Sequence, residues 1–193
     1  KVGDTYLDPF MGQGIRMQVA HRYGLSYCGY DCSVEFFQYV DAVRKTLNNK
    51  VDLNIHLGDS RMPNEIKDGI GNFCFTSPPY WDIEFYGDEK AQLGYKQSYA
   101  QFLQGMEDVA KAWHPKFKKN ATVVINVNDF RKDKSFFPYH ADTITLFQNA
   151  GYTMTDAWII EGLVGGMSRA FAVDFNHKRI APKIHEYALV FKP

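Results

Sequence analysis

The chain has 193 residues, 45% of them hydrophobic and 16% aromatic, which suffices for one sizeable core, so a single domain over 1–193 is expected. Lys and Arg total 22 and Asp and Glu total 22, so net charge argues neither for nor against a polyanionic partner. There is no signal peptide and no apolar run long enough to span a membrane, and the odd count of cysteines (Cys28, Cys32, Cys74) favours reduced thiols in a cytoplasmic protein over a disulfide framework. Cys28 and Cys32 lack a second cluster with ligand spacing, so no metal site is expected. The chain starts at Lys1 almost directly in a strand, which reads as an excerpt of a longer protein.

Strands and helices alternate. Thr5 to Leu7 reads as a first strand, and Met11-Gly12-Gln13-Gly14 leads into a helix that stops near Gly24. A second strand over Tyr27–Tyr30 precedes a helix from Ser33, a candidate N-cap, to Leu47. Val51–Leu57 and Asn72–Phe75 are the third and fourth strands. A helix with apolar Phe102, Leu103, Met106, Val109 and Ala110 at helical spacing runs from Ser98 to Trp113. Ala121–Val127 is apolar enough for burial on both faces. A helix over Tyr139–Ala150 and strands over Tyr152–Ile160 and Glu186–Phe191 complete the set. The last two strands have no helix between them, which predicts a three-layer α/β sandwich on a mixed seven-stranded sheet with the final strand antiparallel. Residues 82–97, 128–137 and 161–183 read as irregular, and loops that long are usually functional or disordered.

Two strand ends carry the chemistry. Asp8-Pro9-Phe10-Met11-Gly12-Gln13-Gly14 follows the first strand and opens a helix, where glycines permit a sharp turn and a close ligand approach. Asp31 ends the second strand and Asp59 follows the third, so acidic acceptors stand on the same rim, as in nucleoside-binding α/β proteins. After the fourth strand comes Thr76-Ser77-Pro78-Pro79-Tyr80-Trp81. Two prolines can continue neither a ladder nor a helix, so the chain leaves the sheet in a stiff turn that presents a hydroxyl, proline carbonyls and aromatic rings.

These segments resemble the class I (Rossmann-like) S-adenosylmethionine-dependent DNA amino-methyltransferases. The 8–14 segment is similar to that family's cofactor motif, and 76–81 to its catalytic motif in a form common among cytosine-N4 enzymes. Gln92 to Tyr99 resembles the approach to the next helix, and Lys183 to Lys192 the closing strand. The resemblance implies S-adenosylmethionine as cofactor, with Asp8, Pro9, Phe10, Gly12 and Gly14 around its methionine end, Asp31 at the ribose and Asp59 at the adenine amine. It implies a catalytic turn of Ser77, Pro78, Pro79 and Tyr80. Ser77 and the Pro78 carbonyl would hold an exocyclic amine, Pro79 would fix the turn, and Tyr80 would stack on a base flipped from double-stranded DNA. Asn126 and Asp129 are further candidates for base binding or proton removal. Arg169, Lys178, Arg179 and Lys183 are candidates for DNA backbone contacts.

The serine favours cytosine N4 over adenine N6, although the cofactor motif precedes the catalytic motif here and many cytosine-N4 enzymes have the reverse order. No further cofactor segment and no sizeable target-recognition region is evident, so a recognition domain or subunit outside this chain is expected. The setting implied is a bacterial or phage-encoded enzyme, such as one of a restriction-modification pair. An amino-methyltransferase of RNA, or a non-catalytic nucleic-acid-binding subunit on the same fold, remains open at this point.

Overall fold

A computed structural model describes residues 1–48, 50–83, 87–94, 96–161 and 185–193. Nine strands, β1 (Thr5–Asp8), β2 (Ser26–Asp31), β3 (Leu53–Leu57), β4 (Gly71–Thr76), β5 (Phe117–Val127), β6 (Phe130–Lys132), β7 (Ser135–Phe137), β8 (Thr153–Glu161) and β9 (His185–Lys192), are described with four α-helices, α1 (Ile15–Arg22), α2 (Val34–Thr46), α3 (Tyr99–Trp113) and α4 (Tyr139–Asn149). Seven strands form one sheet in the order β3-β2-β1-β4-β5-β9-β8. The run from β3 to β5 is parallel, and β9 is antiparallel to both its neighbours, as the sequence predicts.

Strand alternation divides the core into two layers. Leu7, Cys28, Tyr30, Cys74, Val123 and Ile125 face Phe102, Met106, Val109, Trp113 and Phe147 of α3 and α4. Tyr6 and Tyr27 face Met17 and Ala20 of α1 and Val40 of α2. The helix starts follow from local chemistry. Ser33 accepts a hydrogen bond from Phe36 N and caps α2, and Ser98 and Gln101 form a reciprocal capping box on α3. Among the described residues no helix is long and apolar enough to cross a membrane.

The strand order reverses direction between β1 and β4, and in open α/β sheets ligands bind outside the carboxyl ends of the strands at such a switch point. Asp8, Asp31, Asp59 and Ser77 all lie at or just beyond those ends.

Two boundaries and one element differ from expectation. β3 starts two residues late, and β5 begins at Phe117, its exposed Lys118, Lys119 and Asn120 breaking the apolar pattern. Residues 130–137, expected as irregular, form the β6–β7 hairpin, paired from Phe130↔Phe137 to Lys132↔Ser135. Its three-residue strands are too short to display an alternation. Its tip, Asp133 and Lys134 at φ 49° and 68°, also lacks the glycine that usually marks a turn of this kind.

Candidate active site

The loop after β1 is held from below by a buried carboxylate. Asp8 has no exposed surface. Its Oδ2 accepts from Arg16 Nε at 2.7 Å and Tyr27 Oη at 2.8 Å, and its Oδ1 from Thr76 Oγ1 at 2.8 Å and Phe10 N at 3.3 Å. Arg16 also donates to the Phe10 carbonyl. Tyr27 reaches Asp8 by passing over Gly29, where an added Cβ would sit 2.5 Å from the phenol oxygen. Burial, followed by the Asp8 charge, pushes the Tyr27 hydroxyl well above its usual pKa, so it stays protonated and can donate to Asp8. The sequence places Asp8 in the cofactor motif. In the fold its side chain lies under the loop, while Pro9, Phe10 and Gly12 form the surface above it.

That surface is laced to the neighbouring strands. Met11 N donates to Tyr30 O at 2.8 Å, Gly12 N donates to Asp31 Oδ2 at 2.8 Å, and Ser60 Oγ donates to Pro9 O. Ser60 is fixed in turn by Trp113 Nε1, which donates to its carbonyl at 2.7 Å. Gly12 and Gly14 both have left-handed φ, 54° and 71°. The two differ in what a side chain would meet. A Cβ at Gly14 would lie 2.7 Å from Val40, whereas one at Gly12 would meet no protein atom within 4 Å.

Asp31 closes a second small network, its Oδ1 accepting from Ser33 N at 2.9 Å. Burial raises its pKa above the ordinary carboxylate value, with the charges of Asp8 and Glu89 adding to this and the Ser33 and Gly12 N–H bonds opposing it. Asp59 behaves oppositely. Burial again pushes upward, but Arg61, which contacts both carboxylate oxygens through Nε and Nη2 and adds its backbone N–H, holds Asp59 below its usual value.

These groups share one cleft of about 610 Å³ of empty space, part of it open to solvent. Pro9, Phe10, Gly12, Asp31, Asp59 and Ser60 line it, as do Ser77 and Pro79 of the proline turn, with Cys32, Phe36 and the 91–93 segment completing the wall. The structure therefore brings together most of the residues singled out in sequence. Asp8, Gly14 and Pro78 are exceptions, Gly14 standing against Val40 of α2 and Pro78 being buried against the apolar interior beside Cys74, Val123 and Ile125. Tyr80 lies beyond the lining, its ring 5.8 Å from that of Tyr139 and 6.3 Å from that of Phe130, both edge-on.

Aromatic packing and close backbone approach clamp the turn. Trp81, at φ 39°, donates from Nε1 to Gln97 O at 2.9 Å, and its ring lies 5.4 Å from Tyr99 and 5.1 Å from Phe137. Gly94 comes so close to Trp81 that a Cβ would stand 2.6 Å from its carbonyl oxygen. At the end of β5, Asn126 donates to Glu186 at 2.6 Å, and the side-chain oxygens of Asn126 and Asn128 are buried without a partner among the described residues. Asp129 contacts His140 Nδ1 at 2.6 Å, and His140 stacks on Tyr187 at 4.1 Å. Among the described residues no group of three or more His, Cys, Asp or Glu could hold a metal ion. The basic candidates Arg169, Lys178, Arg179 and Lys183 lie outside the described residues.

Sequence reasoning missed Arg16, Tyr27, Ser60 and Thr76, whose roles depend on partners 8 to 68 residues away. It also missed the 91–93 wall, for which the Gln92–Tyr99 match was the available signal.

The comparisons with known proteins extend this picture. A family model described as DNA methylase matches residues 72–193, more than half of the chain. A comparison with the curated proteins returned no match. Among solved structures, an S-adenosylmethionine-dependent methyltransferase from Methanosarcina mazei superposes with TM-score 0.63 at 12% identity, over 100% of this chain and 93% of that one. A TehB-like methyltransferase of the same cofactor class from Corynebacterium glutamicum gives 0.58 at 13%, over 100% and 81%. A Thermus thermophilus protein named as a putative DNA modification methylase, complexed with S-adenosyl-L-methionine, gives 0.52 at 22%, over 71% of this chain and 51% of that one, so the match spans about half of its length. At these identities the structures show a shared fold, the Rossmann-like methyltransferase sandwich, and with the family match over residues 72–193 they establish that the chain belongs to the DNA methylase family.

Proposed function

We propose that this protein transfers a methyl group from S-adenosylmethionine to the exocyclic amine of a base flipped out of double-stranded DNA, with cytosine N4 preferred over adenine N6. The observation that carries this reading is a single cleft whose wall includes Gly12, Asp31 and Asp59 from the glycine loop and strand ends together with Ser77 and Pro79 from the proline turn. The residues suit such a cofactor. Gly12 leaves open space where a side chain would stand, Asp31 has lone pairs to spare for ribose hydroxyls, and Asp59 offers a charged acceptor to an adenine amine once Arg61 yields one of its bonds. The bound cofactor supplies an electrophilic methyl group on a sulfonium.

An exocyclic amine of cytosine or adenine has its lone pair drawn into the ring and is a poor nucleophile. Ser77 Oγ and the Pro78 carbonyl are the acceptors assigned to its two hydrogens, turning the lone pair toward the methyl group so that attack is direct and in line. No covalent nucleophile is needed. Cys74 is fully buried and its thiol is pushed well above its usual pKa, first by burial and then by Asp8, which makes it a core residue. Tyr80 is assigned the stacking surface for the flipped base, backed edge-on by Tyr139 and Phe130.

Nucleosides from DNA treated with the full-length protein and labelled cofactor, analysed by mass spectrometry, test the reading. N4-methylcytosine is the expected product. N6-methyladenine alone would overturn the choice of base, and no transfer to any DNA would overturn the function.

The cofactor site gives two further expectations. Gly12→Leu should abolish cofactor binding in calorimetry, because its Cβ would project into the open space of the cleft; the left-handed φ of 54° adds backbone strain, so a thermal melt accompanies the titration, and unchanged affinity would remove Gly12 from the site. Cofactor affinity should also fall with decreasing pH, starting above the range in which an ordinary carboxylate titrates. The sign follows from linkage. Ribose hydroxyls bind the ionised form of Asp31, so binding is present above its raised pKa and is lost as pH falls through it. Asp59, held low, stays charged across that window. Asp31→Asn should bind weakly and without this inflection, and an inflection that survives the substitution would assign it to another group.

A further inference from the structure

The β6–β7 hairpin is anchored on one side to the proline turn, and Arg131 and Lys134 stand exposed on it. Phe130 and Phe137 stack at 5.2 Å, Phe137 lies 5.1 Å from Trp81, and Phe130 meets Tyr80. Lys132 Nζ sits 4.8 Å over the Trp81 ring, pairs with the Asp82 carboxylate and donates to the Asp82 carbonyl at 2.9 Å. Lys132 is thus committed to holding the hairpin against the turn. Arg131 and Lys134 are exposed, and neither forms an ion pair with a described residue. The Arg131 guanidinium lies 5.3 Å over the ring of its cross-strand partner Phe136, which is 50% exposed. An arginine braced on an aromatic ring presents its donors outward at a reduced entropic cost, in the geometry that suits phosphate. The tip residues Asp133 and Lys134 are non-glycine residues in left-handed backbone, a strained turn kept in a very short hairpin.

We propose that this hairpin is a contact to the phosphate backbone of double-stranded DNA, with Arg131 and Lys134 as its phosphate-binding side chains. The inference deepens, and rests on, the reading of the protein as a DNA-acting methyltransferase. A base lifted to the Ser77–Tyr80 turn carries its flanking phosphates past the lip of that turn, and the hairpin forms part of that lip through Trp81, Phe130 and Phe137. Asp133 is the only acidic residue of the hairpin. Phosphate contacts of this kind position the duplex without reading its sequence.

The test uses the full-length protein and the double variant Arg131→Gln/Lys134→Gln, with Arg22→Gln/Lys50→Gln at the opposite ends of the strands as control. Duplex binding is followed by anisotropy over a range of salt. The hairpin variant should bind every duplex more weakly, with the slope of log K against log salt shallower by about 2, one phosphate contact per cation removed. Cofactor affinity should match wild type. An unchanged slope, or an equal change in the control variant, would overturn the proposal while leaving the proposed function intact wherever wild type methylates DNA. A wild-type protein that binds cofactor and methylates no DNA would instead overturn the functional reading on which the hairpin's role depends.

Discussion

Replacing Ser77 with alanine should slow methyl transfer by roughly 30- to 1000-fold, about 2–4 kcal/mol, the effect of removing one preorganised polar contact to a transition state, while cofactor affinity stays near wild type. Ser77 lines the cleft and its hydroxyl makes no hydrogen bond to another described residue, so among the described residues its loss strands no buried partner. Thr76, one residue earlier, provides the contrast. It is fully buried and its hydroxyl donates to Asp8 at 2.8 Å, so Thr76→Val should lower stability with a smaller effect on the rate per folded molecule. Adjacent hydroxyls on one strand end thus have different expected phenotypes because strand alternation sends one down and one toward the cleft. Single-turnover kinetics with calorimetry of cofactor binding checks both. Full activity in the Ser77 variant would overturn its role.

What the sequence made legible was whatever local chemistry dictates. Ser33 and Ser98 announce helix starts because a short hydroxyl side chain satisfies an otherwise free N–H, and both caps form. The near-continuous apolar run over residues 121–127 of β5 marks a strand covered on both faces, and the lack of a helical pattern in the sequence ahead of β9 points to its antiparallel pairing. Long-range pairings were not legible. Nothing near Tyr27 in the chain indicates that its hydroxyl crosses Gly29 to a carboxylate 19 residues earlier, nor that Ser60 reaches back 51 residues to the Pro9 carbonyl. The β6–β7 hairpin was hidden for another reason. Its stability comes from packing on Trp81, Tyr80 and Tyr99, and each strand is too short for periodicity to register. The site itself was visible as four strand ends, those of β1 to β4, but which groups line the cleft and which support it from below depends on burial.

Asp8 is where that distinction has its largest expected consequence. Asp8→Ala should destabilise the fold by about 3–5 kcal/mol, because it leaves the Arg16 guanidinium and the Tyr27 and Thr76 hydroxyls without their shared acceptor. For a domain of this size that corresponds to a fall in Tm on the order of 10 °C, measurable by scanning calorimetry without any ligand. Asp8→Asn should fall between wild type and alanine. The amide keeps one acceptor oxygen, but it loses the charge that pairs with Arg16 and turns an N–H₂ toward groups that are themselves donors. A residue that served only to touch the methionine end of a cofactor would behave differently, losing affinity at unchanged Tm. That outcome would show Asp8 to be a ligand-binding group. Lost stability, with binding reduced only as far as the unfolded fraction requires, would show that this acidic residue acts as a strut, fixing the height of the Pro9–Gly12 surface through Arg16, Tyr27 and Thr76.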